Sequence, residues 1–268
     1  MGVGQVPFNM YQLFFLTFII HIIDTFAYSV RLNSVKSGLF ALSTTFFNLF
    51  YLISLIAHTL QAPLIGGLMD SSLSQSIDPL PSIRKVLWIA SAGTFLGIIL
   101  TPTFLKNFFR AVNNLERTGS VSTVVIDALK FRSIRRVLEN ITLPSKEMIN
   151  RLPYHKIPVD LIVLNVLVTG VYTIGVMAAY YAASLVVAQH RLAASASAGI
   201  INTAANIIFM LFIDPKSSII TDQALRGYRP YADVKALVVM LMSAKLIGTL
   251  LGQLFLIPVA NVIAAIYK

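Results

Sequence analysis

The 268-residue chain has no cysteine, so it forms no disulfide, carries no thiolate nucleophile and offers no Cys-based metal site. It is also poor in charge. Only 12% of its residues are Asp, Glu, Lys or Arg, against about 25% in a soluble globular domain. That deficit excludes an ordinary water-soluble enzyme, and an apolar content of 56% excludes a disordered chain. The short alternating segments of a membrane β-barrel are missing. So is any Gly-x-x-x-x-Gly-Lys-Ser/Thr run, which removes ATP hydrolysis and a nucleotide partner. His21, His58, His155 and His190 form no His-x-x-x-His or His-Glu pair, and no His-Glu-x-x-His, Gly-x-Ser-x-Gly or clustered acidic metal site occurs. An intramembrane enzyme is therefore disfavoured, and neither a metal nor a cofactor is expected. Met1 to Met10 hold no basic residue and position 6 is Val. A cleavable signal peptide and N-myristoylation are both unexpected, so the first apolar segment should stay in the mature protein.

What the chain does have is long apolar runs. A bilayer-spanning helix needs roughly 20 mainly apolar residues. Six such segments are expected, at about 11–30, 39–60, 86–105, 159–187, 193–213 and 236–266. The fold class is an all-α polytopic bundle, one integral membrane domain over residues 1–268. The fourth and sixth segments exceed the need and must tilt, kink or protrude, the sixth most plainly at Pro258. Sixteen Lys and Arg fall in the loops after segments one, three and five, and four fall on the other side (Arg84, Lys85, Arg191 and Lys268). The positive charge thus serves orientation rather than nucleic-acid binding, with the sixteen-residue side cytoplasmic and both termini extracytoplasmic.

The central cytoplasmic loop, 106–156, is the one sizeable polar stretch. Within it Val124, Ala128, Phe131, Ile134, Leu138 and Ile141 recur at helical spacing beside Lys130, Arg132 and Arg136. The pattern predicts a basic amphipathic helix, lying either on anionic membrane lipids or against its own bundle. Three spans flank the loop on each side, the arrangement of a 3+3 inverted repeat. A short basic turn is expected to close a hairpin in each half, around Arg31-Leu32 and Arg191-Leu192. Gly93-x-x-x-Gly97 and Gly248-x-x-x-Gly252 read as close helix packing. The run Gln61-Ala-Pro63-Leu-Ile-Gly66-Gly67 reads as a turn, or as a broken, re-entrant piece, at the outer end of segment two.

Polar residues in the spans are costly unless they face protein or water. Thr17, His21, Asp24, Tyr28 and Arg31 cover only about 80° of the first helix. Segment two repeats the pattern with Thr44, Asn48, Tyr51, Ser54, His58 and Gln61. Segment four has Asn165, Thr169 and Tyr172; segment five has Ser195, Gly199, Asn202 and Asn206; segment six has Lys245, Thr249 and Gln253. Singly, such residues are usually interhelical glue. Together they predict a hydrophilic cavity. Asp24 lies about 10 Å inside the edge marked by Arg31, and Lys245 roughly 15 Å inside Lys235. The two either form a structural ion pair, or Lys245 and Arg31 bind phosphate while Asp24 and His21 relay a proton. The substrate-binding candidates are Arg31, Lys245, Asn48, Tyr28, Asn202, Asn206 and Gln253; the coupling candidates are Asp24 and His21.

Several long blocks of the chain are similar to one family. Ile22-Ile-Asp-Thr-Phe-Ala-Tyr-Ser-Val-Arg-Leu-Asn-Ser-Val-Lys-Ser-Gly38, Ala57-His-Thr-Leu-Gln-Ala-Pro-Leu-Ile-Gly-Gly67, Ile220-Thr-Asp-Gln-Ala-Leu-Arg-Gly227, Tyr231-Ala-Asp-Val-Lys-Ala-Leu-Val-Val239 and the Gly248-to-Gln253 run resemble the Amj family of alternative lipid II flippases. The similarity is weakest in the central loop. It implies a bacterial cytoplasmic-membrane protein that moves the undecaprenyl-pyrophosphate-linked peptidoglycan precursor, lipid II, from the inner to the outer leaflet. It assigns no residue a role, so the site candidates above rest on the spans alone. The competing function is an ion-coupled transporter of a small polar or anionic solute, which would use the same polar stripe in a sealed pocket.

The charge count makes a direct prediction about sidedness. Because the chain lacks cysteine, single cysteines can report it: one at Lys268 should react with an impermeant maleimide on intact cells, and one at Ser120 only after permeabilisation. The reverse pattern would invert the topology.

Overall fold

The structure, a computed structural model, describes residues 10–268. The segment behind the signal-peptide and acylation expectations lies largely outside the described residues, as do the side chains of Leu129, Phe131, Arg132, Ile134 and Leu138. The described residues contain helices and turns and no strand. Long helices α1 (Met10–Ser37), α2 (Phe40–Ser74) and α3 (Leu80–Thr118) are followed by short helices α4 (Val121–Leu129), α5 (Phe131–Glu139) and α6 (Lys146–Asn150). Then come α7 (Val159–Leu185), α8 (Arg191–Ile208), a π-helical turn (Phe209–Ile213), α9 (Asp214–Leu225) and α10 (Tyr231–Ile266). Six units are long and apolar enough to cross a membrane: α1, α2, α3, α7, the run Ala188–Leu225 and α10.

Local chemistry sets the ends. Gly38 and Gly119 stop α1 and α3 with φ of +72° and +64°, a left-handed conformation that costs glycine little. Pro79 and Pro81 flank the start of α3, where a missing N–H is no loss. The Ser120 hydroxyl accepts from the Thr123 amide at 3.3 Å to start α4.

Several expected boundaries differ. α2 continues through Pro63 and Gly66-Gly67 to Ser74 without a break, so that run is neither a turn nor a re-entrant piece. Pro63 interrupts one backbone bond, but the surrounding apolar helix carries the chain across it. Arg31-Leu32 lies inside α1, whose turn comes at Gly38, and Arg191 opens α8 rather than closing a hairpin turn. α3 runs to Thr118, taking the first part of the 106–156 stretch as helix. The expected single amphipathic helix is two helices, split where Lys130 adopts an extended ψ of 136°. The fifth span does not end at Ile213; it passes through the π turn into α9.

α1 and α7 are the packing centres of their respective halves. α1 packs against α2 and α3, while α7 packs against α8 and α10. Small residues allow the closest approaches. A Cβ at Gly93 would lie 2.5 Å from the Phe18 carbonyl oxygen, and one at Gly97 would lie 2.8 Å from Thr25 Cβ. In the second half, a Cβ at Gly248 would meet Thr169 Oγ1 at 2.3 Å, and one at Gly252 would meet Ile174 at 2.8 Å. Each glycine pair thus seats the third long helix of its half on the first. The outer faces stay apolar: Trp88, Phe95, Ile200, Leu254 and Val262 are all exposed, as a lipid-facing surface requires.

A methyl group tests this packing. Gly248→Ala should destabilise the detergent-solubilised protein by about 1–3 kcal/mol, the range for overpacking a tight contact. Gly199, with nothing within 4 Å of its added Cβ, should accept Ala without loss. Thermal unfolding of the two variants checks both.

Candidate functional site

A cavity of about 1400 Å³, counted out to its open mouth, lies among α1, α2, α7, the π turn and α10. Its position follows from the polar stripe of α1. His21, Asp24, Tyr28 and Arg31 share one face of that helix and all line the cavity. α2 adds Asn48, Tyr51 and Ser54; α7 adds Thr169 and Tyr172; the fifth span adds Asn206 and Asp214; α10 adds Lys245.

Asp24 is the best-connected charge. Its Oδ1 accepts from the Ser54 hydroxyl at 2.5 Å, and its Oδ2 lies 3.8 Å from His58 Nε2 and 3.9 Å from Lys245 Nζ. Lys245 is 5% exposed and also donates to the His21 carbonyl oxygen at 3.3 Å. A buried ammonium is tolerated only with such partners. The expected Asp24–Lys245 pair therefore exists, and it forms part of the cavity wall. Toward the Ser37 end of α1, Arg31 Nη2 donates to Asp214 Oδ1 at 2.5 Å. The Tyr28 hydroxyl donates to Asn165 Oδ1 at 3.1 Å, and Asn165 donates on to the Leu241 carbonyl at 2.9 Å. That chain ties α1, α7 and α10 together behind the Tyr28 ring.

Seven of the nine candidate residues thus converge: Arg31, Lys245, Asn48, Tyr28, Asn206, Asp24 and His21. Two do not. Asn202 turns against Gly175 of α7, where a Cβ would sit 2.1 Å from its Oδ1, so it is a packing residue of the α7–α8 contact. Gln253 lies toward the far end of α10. Its amide donates to the Arg84 carbonyl at 3.0 Å and its oxygen accepts from Arg84 at 3.4 Å, joining α10 to α3. Helical spacing put both on polar stripes, but the stripes extend beyond the cavity. His21 differs in its partner: its ring Nδ1 is 3.3 Å from Thr94 Oγ1 of α3, while His58 is the histidine beside the Asp24 carboxylate. Asp214 lies one residue past the expected end of the fifth span, outside the polar stripes. Its only sequence signal is its place before Pro215, where an acidic residue suits a helix start.

The mouth opens sideways. Tyr51, Leu55 and Met210 line the cavity and are nevertheless 53%, 48% and 68% exposed. The first two come from α2 and the third from the π turn. Tyr51 is one turn from Ser54, so the opening sits at the depth of the buried charges.

Comparison with known proteins places the chain in a family. The model of the family described as Amj, Alternate to MurJ, matches residues 16–267. The chain belongs to the Amj family. Among its relatives is the lipid II flippase Amj of Bacillus subtilis (strain 168), 34% identical over 258 residues that cover 96% of each chain. No solved structure matches the chain. The match to the Amj model takes in every cavity residue named above.

The division between cavity and packing residues is testable in this Amj protein. Gln253→Ala removes two bonds to Arg84 and should cost about 1–2 kcal/mol in thermal unfolding. Asn48→Ala, at an exposed position on the cavity wall, should leave the unfolding temperature unchanged within a degree or so.

Proposed function

We propose that this protein is a lipid II flippase of the bacterial cytoplasmic membrane, a multi-pass transporter rather than an enzyme, and that the cavity is its substrate path. The relative at 34% identity bears that function in its name. The chemistry of the cavity fits the cargo. Lipid II offers an anionic pyrophosphate, a large hydrophilic sugar-peptide head and a long apolar tail. Arg31 and Lys245 supply cationic partners for the pyrophosphate, and Asn48, Tyr28 and Asn206 supply neutral hydrogen-bonding groups for the head. The lateral mouth carries the reading. Phe47, Phe50 and Leu55 on α2 and Phe209 and Met210 on the π turn give the opening an apolar rim, so a tail can remain in lipid while the head enters. An ion-coupled carrier of a small solute has no use for such a rim.

With the basic loops facing the cytoplasm, Arg31 lies at the inner edge and the cavity loads from the inner leaflet. The two halves then have opposite orientation. Both seat a Gly-x-x-x-Gly helix on the first helix of the half, and Pro102 and Pro258 follow those glycine pairs by five and six residues. These correspondences support a 3+3 inverted repeat, in which exchange of conformations between halves closes the inner opening and forms an outer one. The helices within 121–150 lie at the loading side, where Val121 and Val124 of α4 pack against Phe108, Val112 and Leu115 of α3. No nucleotide or nucleic acid takes part in this scheme.

The test is translocation of labelled lipid II in liposomes that contain only the purified protein, followed by loss of signal to a membrane-impermeant quencher. The wild type should speed access to the inner-leaflet pool. Arg31→Gln and Lys245→Gln should each slow it by about 10- to 100-fold, the worth of a charge-assisted hydrogen bond. Access no faster than in protein-free liposomes, with or without an ion gradient, would overturn the reading; uptake of soluble pyrophosphate instead would favour the small-solute carrier.

A further inference from the structure

Both cavity cations are already paired, and the two pairs are built differently. Asp24, the partner of Lys245, is held by Ser54 and approached by His58, so its carboxylate is fixed on the wall from several directions. Asp214, the partner of Arg31, reaches across from the fifth span with a side chain 45% exposed. It follows directly on the π turn Phe209–Ile213 and precedes Pro215. A π turn is a local departure from α-helical hydrogen bonding that recurs at functional sites. Pro215 has no amide hydrogen to restore the ladder. The backbone that carries Asp214 thus departs from regular α-helical hydrogen bonding where it meets the cavity.

The charges matter as well as the mechanics. The formal charges of Arg31, Lys245, Asp24 and Asp214 sum to zero. A phosphate group arriving at Arg31 must therefore compete with a carboxylate, and the anchored Asp24 cannot yield. We propose that Asp214 is the displaceable counter-ion of the substrate site: it occupies Arg31 when the cavity is empty, and the lipid-linked pyrophosphate takes its place. Displacement removes the ion pair between α1 and α9 and leaves only the apolar contacts of Ile213 and Ile220 with Tyr28 and Leu32, so filling the site loosens the wall on one side of the lateral mouth. Asp214 is a positioning and specificity residue. It keeps the guanidinium compensated between cycles, and it sets a threshold that a neutral lipid, with no anion to exchange, cannot meet.

The inference rests on the flippase reading, and binding data separate the two. Geranylgeranyl pyrophosphate serves as the probe, titrated calorimetrically into the purified full chain in detergent. Asp214→Asn should bind it roughly three- to tenfold more tightly than the wild type, since one competing carboxylate is gone. The Asn variant should also translocate lipid II more slowly, its wall no longer responding to the substrate. Arg31→Gln should bind the probe about tenfold more weakly. The double variant should bind as Arg31→Gln does, because Asp214 acts through Arg31. Unchanged or weaker binding by Asp214→Asn overturns the proposal, and so does tightening that persists without Arg31. Failure of the wild type itself to bind the probe removes the flippase reading and this inference with it. A second measurement leaves Arg31 and Asp214 intact. Spin labels on cysteines at exposed Leu52 of α2 and Phe212 of the π turn should change their separation when the probe is added. An unchanged distance overturns the loosening.

Discussion

Asp24 is a carboxylate about 10 Å inside the edge of its span, at a depth where an unpaired charge is costly. Three side chains answer to it. Lys245 reaches it from α10, Ser54 and His58 from α2, and the backbone of His21 takes a second bond from the same ammonium. Three helices, α1, α2 and α10, are thereby held in one register. The pair costs desolvation on both sides, and apolar residues of similar volume would fill the place with less penalty. A buried ion pair kept on a cavity wall therefore points to use, since stability alone would not call for it.

The rest of the bundle is arranged so that this polar seam coexists with apolar packing. Without a hydrophobic driving force between helices in lipid, close approach must come from small residues. Gly93 and Gly97 bring α3 onto the side of α1 near His21 and Thr25, and Gly248 and Gly252 bring α10 onto α7. Gly248 is three residues from Lys245, less than one helical turn. The contact that seats α10 thus also aims its lysine, so packing and electrostatics are two consequences of the same short segment.

Most of the architecture was legible in the sequence, because the six apolar runs and their polar stripes obey simple periodicity. The α1 stripe is the clearest case: five residues at spacings of four and three residues point one way, and four of them line the cavity. What was not legible is where stripes stop mattering. Gln253 and Asn202 share the periodicity of their neighbours, but periodicity gives a face and not a depth, and their depth or partner puts them in helix contacts. Span ends were also hidden. Apolarity fades before helicity does, so α2, α3 and the fifth span all run past their hydrophobic limits, and Asp214 fell just beyond an apparent end. The π turn that carries it, Phe209–Ile213, has no composition signature.

A carrier of an anion faces two opposed demands, since its site must attract the cargo and must then let it go. Unpaired cations in a low-dielectric cavity would meet the first demand so well that they would fail the second, and the empty protein would carry uncompensated buried charge. In the proposed scheme, pairing Arg31 with Asp214 of another helix makes binding an exchange of one anion for another. The net free energy is then a difference between two similar attractions, small enough to reverse when the cavity faces the other leaflet. If both carboxylates were fixed, the exchange would be blocked; if both were mobile, nothing would hold α1, α2 and α10 in register. One pair anchored by Ser54 and one carried on a weak helical turn is the division of labour that such a cycle requires.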